Sequence, residues 1–149
     1  MTEQPAALID GFRHCYTTDV RFRDLDAFGH VNNAVILTYA EAGRVDYLAH
    51  VVHDGQLRDL TMLSVILAEI TVTFRSPIYF GERVVVATRV VRMGRSSMHM
   101  EARITADDRE AALARNVLVH YDHTTRHSTP LPDDARARIA AFEDIALQG

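Results

Sequence analysis

The spacing of apolar residues predicts a strand followed by a long helix in the first third of the chain. Residues 12 to 23 are rich in β-branched and aromatic residues and alternate in part with polar ones, which favours a strand. Residues 31 to 52 then repeat apolar positions at three- and four-residue steps, the period of an α-helix. That helical stripe consists of Val31, Val35, Thr38, Ala42, Val45, Ala49 and Val52. Because its other faces are also largely apolar, we expect the helix to be buried.

The rest of the chain is typical of strands until its last helix. Residues 53 to 60 are polar, with Asp54-Gly55 as a turn signal. Strand patterns follow at residues 65–75, 83–92, 96–105 and 111–123, with Asp107-Asp108 as a hairpin turn. Residues 133 to 147 have a helical pattern. This order predicts an α+β fold in which one antiparallel sheet wraps around a long central helix.

Gly43 lies in the middle of the predicted central helix. Glycine there costs about 1 kcal/mol of helix propensity relative to alanine. We interpret it as a place where the helix approaches the sheet closely.

Length and charge narrow the class of protein. A chain of 149 residues suits one domain, residues 1–149. A formal net charge of −4 argues against a nucleic-acid partner, which requires a clustered basic surface. Cys15 is the single cysteine, so no intramolecular disulfide can form. The first residues do not resemble a signal peptide and no apolar run is long enough for a membrane span, so we expect a cytoplasmic protein without a membrane partner.

A polar loop with candidate chemistry separates the first strand from the helix. Asp26 lies just before the predicted helix, where a carboxylate can activate water or attack an acyl carbon. The unpaired N–H groups of a helix N-terminus can stabilise a developing oxyanion. The alternative is that Asp26 only caps a turn or the helix. Asp24 is a competing carboxylate, which we interpret as a structural or solvated partner.

The other polar residues of this loop have two possible roles each. His30 is a candidate second acid or base, or a residue that orients Asp26; packing in the turn is the alternative. Gly29 permits a positive φ or close approach of a substrate. Asn32 and Asn33 are candidate helix caps whose side chains could also hold Asp26 or a water.

Further charged residues offer weaker candidates. Glu41 and Arg44 are three apart on the predicted helix and are expected to pair with each other, with Glu41 facing a pocket as the alternative. Arg92, Arg95 and Ser96 surround a turn and are candidates for phosphate recognition. Three histidines near the end of the last strand suggest a metal site at first sight: His120, His123 and His127. Positions three apart in a strand face opposite sides, so we expect no metal site there and none elsewhere.

The stretch RDLDAFGHVNNAVILTYAEAGR resembles the opening motif of hotdog-fold acyl-CoA thioesterases, in the 4-hydroxybenzoyl-CoA thioesterase-like family. The stretches ITVTFRSPIYFGERVVV, VVRMGRSSMHMEARI and HTTRHSTPLPDDARARI are similar, in order and spacing, to later parts of that family. The resemblance implies an acyl-CoA thioesterase without a separate cofactor, with coenzyme A or a related acyl carrier as part of the substrate. It also implies a homodimer or homotetramer with its active site at a subunit interface.

The resemblance also implies roles for individual residues. Asp26 aligns with the family's catalytic carboxylate, and the backbone amide near Asn33 aligns with its oxyanion donor. We expect His30 to assist, and the acyl group to lie along the helix. The expected substrate contacts are Gly29, Val31, Asn32, Val35, Tyr39, Glu41, Arg92, Arg95 and Ser96.

Two other functions remain open from the sequence. A hotdog-type hydratase or dehydratase would need a histidine and a carboxylate beside the acyl chain, for which His30 and Glu41 are available. The H-F-P-G type loop of such enzymes is absent from the sequence. A non-catalytic acyl-CoA-binding domain would retain binding without turnover.

Overall fold

The elements follow the predicted order of one strand, a long helix, four strands and a final helix, with one further short strand before that helix. The computed structural model describes residues 9–53, 55 and 64–145. The strands are β1 (His14–Asp19), β2 (Val65–Phe74), β3 (Arg83–Met93), β4 (Ser97–Ala106), β5 (Arg109–Asp122) and a short β6 (His127–Ser128). The helices are α1 (Asn33–Val51) and α2 (Asp133–Glu143), and a 3-10 turn spans Phe22–Asp24.

The strands form an antiparallel sheet in the order β1-β3-β4-β5-β2, and β6 pairs with the end of β5. The six-residue β1 and the ten-residue β2 therefore form its two edges. The predicted α+β fold, a sheet around one long helix, is confirmed. Most of the polar segment at 53–60 lies outside the described residues.

Helix α1 lies against the inner face of the sheet and approaches it closely at Gly43. A Cβ atom built on Gly43 would lie 2.5 Å from Cγ1 of Val86 and 3.2 Å from Oγ1 of Thr88, both on β3. Real Cβ atoms do not come this close to other atoms, so only glycine allows this spacing of helix and sheet. The predicted close approach is confirmed.

The buried face of α1 is not the one that the stripe from Val31 to Val52 predicts. Within the helix, Thr38 is exposed, whereas Ala42, Val45 and Ala49 are half-buried. The face that meets the sheet comprises Ile36, Tyr39, Ala40, Gly43, Arg44, Tyr47, Leu48 and Val51. A helix with apolar residues on several faces gives no periodic signal that selects one face, so the sheet's position decides it.

The core contains two apolar clusters, one packed against each half of α1, and they show which end of the sheet each end of the helix meets. The N-terminal half of α1 packs with the start of β3 and β5 and the end of β4, through Ile36, Ala40, Val84, Ile104 and Ala112. The C-terminal half packs with the opposite ends of those strands and with α2, through Tyr47, Leu48, Met93, Met98, Leu118 and Ile139. No described helix is long and apolar enough to cross a membrane. The loop before α1 therefore lies at one end of the sheet, far from α2.

The first strand ends earlier than predicted. β1 stops at Asp19, and the chain turns through the 3-10 segment instead of extending to residue 23. Phe22 continues the apolar alternation in sequence, but its side chain is exposed and pairs edge-on with Phe80 at a ring distance of 6.5 Å. The turn directs the following residues toward the start of α1.

Candidate active site

A tight loop joins the 3-10 turn to α1, closed by backbone hydrogen bonds. Leu25 and Val31 form an isolated antiparallel bridge. Inside it, the N–H of Asp26 donates to the carbonyl of His30 at 2.9 Å, and the N–H of Gly29 donates to the carbonyl of Asp26 at 3.2 Å. Gly29 has a φ of +87°, a conformation that favours glycine. The predicted positive φ at Gly29 is confirmed, and apart from its two chain neighbours no described residue has an atom within 4 Å of where its Cβ would be.

The carboxylate of Asp26 is held at the mouth of this loop. Its Oδ1 accepts a hydrogen bond from the N–H of Phe28 at 2.9 Å, and its Oδ2 lies 3.6 Å from Nδ1 of His30. The Asp26 side chain is 21% exposed, so one face of the carboxylate remains open. Asp26 thus stabilises its own turn, as the alternative to a catalytic role predicts. Its side chain is nevertheless not fully buried by that turn.

The N-terminus of α1 leaves one amide available. Asn32 caps the helix: its side chain accepts from the N–H of Ala34 at 2.8 Å. The N–H groups of Val35 and Ile36 both donate to the Asn32 carbonyl. Among the described residues, the N–H of Asn33 has no acceptor. Because a helix N-terminus also carries about half a positive charge, this amide can bind an anionic oxygen.

Asp24 has a structural role that separates it from Asp26. Its side chain is buried and accepts hydrogen bonds from the N–H of Arg21 at 3.0 Å and from the hydroxyl of Tyr39 at 2.7 Å. Burial by itself would raise the pKa of the Asp24 carboxyl, but these bonds and the Arg21 charge outweigh it and leave the pKa below its ordinary value. The carbonyl of Asp24 also accepts from the N–H of Asn32 at 2.9 Å, which ties the loop to the helix.

Two of the expected substrate contacts are used inside the fold. Tyr39 is 3% exposed, and burial and the Asp24 hydrogen bond raise the pKa of its phenol above the ordinary value. Val31 is 1% exposed and donates its N–H to the carbonyl of Ile78. Neither side chain presents surface to a ligand in one protomer, and both instead position the loop. Val35 is half-buried against the same core cluster.

Arg92, Arg95 and Ser96 lie at the other end of the sheet from Asp26. The guanidinium of Arg92 lies 3.0 Å from Nε2 of His99, and the carbonyl of Ser96 accepts from the N–H of His120. This end of the sheet packs with the C-terminal end of α1. At 1.5 Å per residue, the whole helix is about 28 Å long. The expected common site of these residues with Asp26 is therefore not formed within a single chain.

Glu41 and Arg44 do not form the expected ion pair. Arg44 is buried, and the amide of Asn116, in the orientation that satisfies both of its ends, accepts from Arg44 Nη1 and Nε at 3.1 and 3.2 Å. Burial lowers the pKa of Arg44, and the charge of Glu41 offsets only part of that effect. Glu41 itself is exposed and lines a groove of about 420 Å³ along α1. Asp26 is not one of the residues that line this groove.

Exposed aromatic rings surround the loop, a feature that sequence reasoning missed. The rings of Phe28 and His30 stack at 6.2 Å with an angle of 19°. Phe28 is 85% exposed, and the pair of Phe22 and Phe80 lies at the neighbouring turns. Exposed aromatic side chains of this kind are typical of surfaces that bind a ligand or another chain. The sequence did contain one sign of this feature, the close spacing of Phe28 and His30 in the motif.

The family model of the thioesterase-like superfamily matches residues 20–139, which include the loop, α1 and β2 to β5. The chain belongs to this superfamily. The match spans most of the chain, so the earlier resemblance is confirmed at the level of the family. Membership and the relatives below identify the chain as a thioester hydrolase.

Several relatives within this superfamily are thioesterases. A thioesterase from Thermus thermophilus, solved in complex with coenzyme A and Zn, is 40% identical, with a TM-score of 0.83 over 93% of this chain and 100% of that chain. The chloroplastic acyl-acyl carrier protein thioesterase ATL3 of Arabidopsis thaliana is 26% identical over 95% of this chain and 78% of its own length. A 1,4-dihydroxy-2-naphthoyl-CoA thioesterase from Synechocystis, at 18% identity and a TM-score of 0.74 over 85% of this chain and 95% of that one, shows the fold alone.

Proposed function

We propose that this protein hydrolyses acyl-coenzyme A thioesters at the loop between Asp26 and Asn33. The observation that supports this most directly is that one short loop contains an accessible carboxylate, that of Asp26, and ends at the N–H of Asn33, which has no acceptor among the described residues. The coenzyme A in the Thermus thermophilus structure supports the choice of carrier. A cytoplasmic location and a single domain over residues 1–149 remain predictions from the sequence.

In the proposed reaction, the thioester carbonyl oxygen accepts a hydrogen bond from the N–H of Asn33. Asp26 removes a proton from water, the resulting hydroxide attacks the carbonyl carbon, and the C–S bond breaks. The products are a carboxylic acid and a free thiol, which takes up a proton. Alternatively Asp26 attacks first and forms an anhydride that water then hydrolyses. In both routes negative charge develops on the same oxygen, where the helix dipole stabilises it.

His30 is proposed to assist Asp26. Its Nδ1 lies 3.6 Å from the Asp26 carboxylate and 3.4 Å from the carbonyl of Val31. A protonated imidazole at this distance can orient the carboxylate or supply a proton to the leaving thiolate. Gly29 and Asn32 belong to the same loop, where the N–H of Gly29 donates to the carbonyl of Asp26, and this supports their proposed role as substrate contacts.

A screen for thiol release tests the proposed function. We expect measurable turnover when short, long and aromatic acyl-coenzyme A thioesters are offered, read with a thiol-reactive chromophore. The same acyl groups on acyl carrier protein test the second carrier, because the Arabidopsis relative is named for it. Binding of acyl-coenzyme A without any thiol release would instead support a non-catalytic binding domain.

The hydratase alternative is less favourable on geometry. His30 precedes α1, whereas Glu41 lies eight residues into it, about 12 Å along the axis at 1.5 Å per residue. The two therefore do not flank one acyl chain within a protomer. Loss of the ultraviolet absorbance of an enoyl-coenzyme A without any thiol release would support this alternative instead.

We also propose that the active protein is a homodimer or homotetramer. β2 is an edge strand of ten residues with no described strand on its outer side, and it exposes Ile66, Leu67 and Phe74. Such an edge pairs readily with another chain. If the active site lies between two copies, Arg92 and Arg95 of one copy are available to the Asp26 loop of the other.

The oligomer proposal predicts that a charge on β2 produces monomers. We expect Leu67→Glu to shift the mass measured by light scattering to that of one chain and to reduce thioester turnover at least tenfold. Val91→Glu, which also places a charge on an exposed apolar position but on β3, serves as the control. A wild-type protein that is already monomeric and fully active would refute the proposal.

A further inference from the structure

Three donor groups from distant parts of the sequence meet on the side of α1 that faces β1. Nε2 of His14, on β1, lies 2.7 Å from Oδ2 of Asp46, on α1. Nδ1 of His50, one helical turn after Asp46, lies 3.4 Å from its Oδ1. One nitrogen or oxygen from each residue falls within 4.8 Å of the others. Asp46 and His50 share a helix face because they are four residues apart.

The three residues differ in burial in a way that suits a site entered from solvent. His14 is 8% exposed, and its ring packs edge-on against Tyr47 at 5.4 Å. The side chain of Asp46 is 27% exposed and that of His50 is 61% exposed. The buried imidazole and the half-buried carboxylate are thus held by the fold, while the exposed ring can turn to complete a site.

We propose that His14, Asp46 and His50 form a site for a divalent transition metal ion, with Zn²⁺ as the reference ion. This proposal departs from the expectation, drawn from the sequence, that the chain holds no metal. Two imidazoles and one carboxylate are ligands that zinc accepts, at bond lengths of roughly 2.0–2.2 Å. Ligand atoms around one tetrahedral ion of this kind lie roughly 3–3.5 Å apart, close to the separations seen here. The fourth position would be taken by water.

Metal binding replaces hydrogen bonds that the three residues make in its absence. Without an ion, Nε2–H of His14 donates to Oδ2 of Asp46, and Nδ1 of His50 lies 2.8 Å from the Asp46 carbonyl. With an ion, the nitrogen of each ring that faces it supplies a lone pair. In a neutral ring the proton moves to the other nitrogen, and a protonated ring releases one proton to solvent.

The expected affinity is moderate. Among the described residues, Nδ1 of His14 has no hydrogen-bond partner, so it lacks the second acceptor that usually strengthens a histidine ligand. We therefore expect micromolar rather than tighter binding. The site is distinct from the hydrolytic loop, because Asp46 lies about 13 residues into α1, about 20 Å along the axis from Asn33. Its effect would be to fasten β1 to α1.

Zinc titration of the full chain tests this proposal without an activity assay. We expect isothermal titration calorimetry of chelator-treated protein to give one site per chain, and saturating Zn²⁺ to raise the unfolding temperature by about 5 °C. Substitution with Co²⁺ should produce the visible absorption of a four-coordinate nitrogen and oxygen site. His50→Ala, at an exposed position that tolerates change, should lower the affinity at least tenfold and remove the cobalt spectrum.

Two further variants distinguish zinc binding at this site from nonspecific zinc binding by other histidines. Asp46→Asn retains a hydrogen-bond acceptor for His14 but weakens the ligand, so we expect an affinity loss similar to that of His50→Ala. His123→Ala removes an exposed histidine outside the cluster and should leave binding unchanged. Equal zinc binding by wild type and His50→Ala, or no binding below millimolar zinc, would overturn the proposal and leave a plain hydrogen bond between His14 and Asp46.

Discussion

Asp26→Asn will lower kcat for thioester hydrolysis by about 10²–10⁴-fold, the range expected when a side chain that transfers protons is removed. The substitution preserves shape, and the amide oxygen can still accept the N–H of Phe28 that Asp26 accepts at 2.9 Å. What it removes is the basic, negatively charged oxygen that activates water or attacks the acyl carbon. We therefore expect KM and the unfolding temperature to change little. Thiol release at saturating substrate, together with thermal unfolding, measures both.

A matched substitution separates catalysis from a general effect of charge. Asp19→Asn makes the same chemical change at the exposed end of β1, before the 3-10 turn. We expect it to retain a kcat close to that of wild type. If Asp26→Asn also retained wild-type turnover, the assignment of Asp26 would be wrong and the carboxylate would only stabilise its turn.

The contrast between Asp24 and Asp26 shows what the sequence could and could not decide. Both aspartates precede the helix in one short motif, and their spacing in a strand would place them on the same side. The structure separates them because the 3-10 turn rotates Asp24 into the core, where Tyr39 and Arg21 satisfy its carboxylate. Tyr39 is 15 residues away in sequence, so no local pattern reveals this bond. The preference for Asp26 rests on its position and on family resemblance.

The order of elements was predictable because it depends on short-range periodicity. Each of the four consecutive strands begins and ends within about two residues of its predicted bounds, the usual uncertainty of an element's ends. The buried face of α1 was not predictable, because Thr38 and Val45 fit the apolar period as well as Tyr39 and Leu48 do. Which face meets the sheet depends on the register of β3 against the helix.

The candidate site was predictable only where its residues are close in sequence. Asp26, His30 and Asn33 belong to one short motif and stay together in the structure, through bonds such as that between the Asp26 N–H and the His30 carbonyl. Arg92 was assigned to the same site on chemistry, but the fold places it at the opposite end of α1. The sequence gives no signal for His14 as a metal ligand, because Asp46 lies 32 residues later and on another element.

Gly43→Ala will destabilise the protein by about 1–3 kcal/mol, the usual cost of adding a methyl group to a packed core. Two effects compete. Alanine improves helix propensity by about 1 kcal/mol relative to glycine. However, its Cβ would lie 2.5 Å from Cγ1 of Val86, a fully buried side chain on β3, which is held between β1 and β4 and has little freedom to move. The helix or the strand must then shift, so we expect the packing penalty to exceed the gain. Urea unfolding measures the difference.

A double-mutant cycle with Val86→Ala isolates the contact between Gly43 and Val86. Val86→Ala by itself should destabilise the protein, because it removes buried methyl groups and leaves a cavity. In that background the 2.5 Å contact no longer exists, and the nearest remaining atoms lie at 3.1 and 3.2 Å. Gly43→Ala should then be close to neutral, so that the two substitutions together cost less than the sum of their separate effects. If Gly43→Ala stabilises the wild-type protein instead, helix propensity outweighs packing at this position, and the close approach of α1 to β3 does not require glycine.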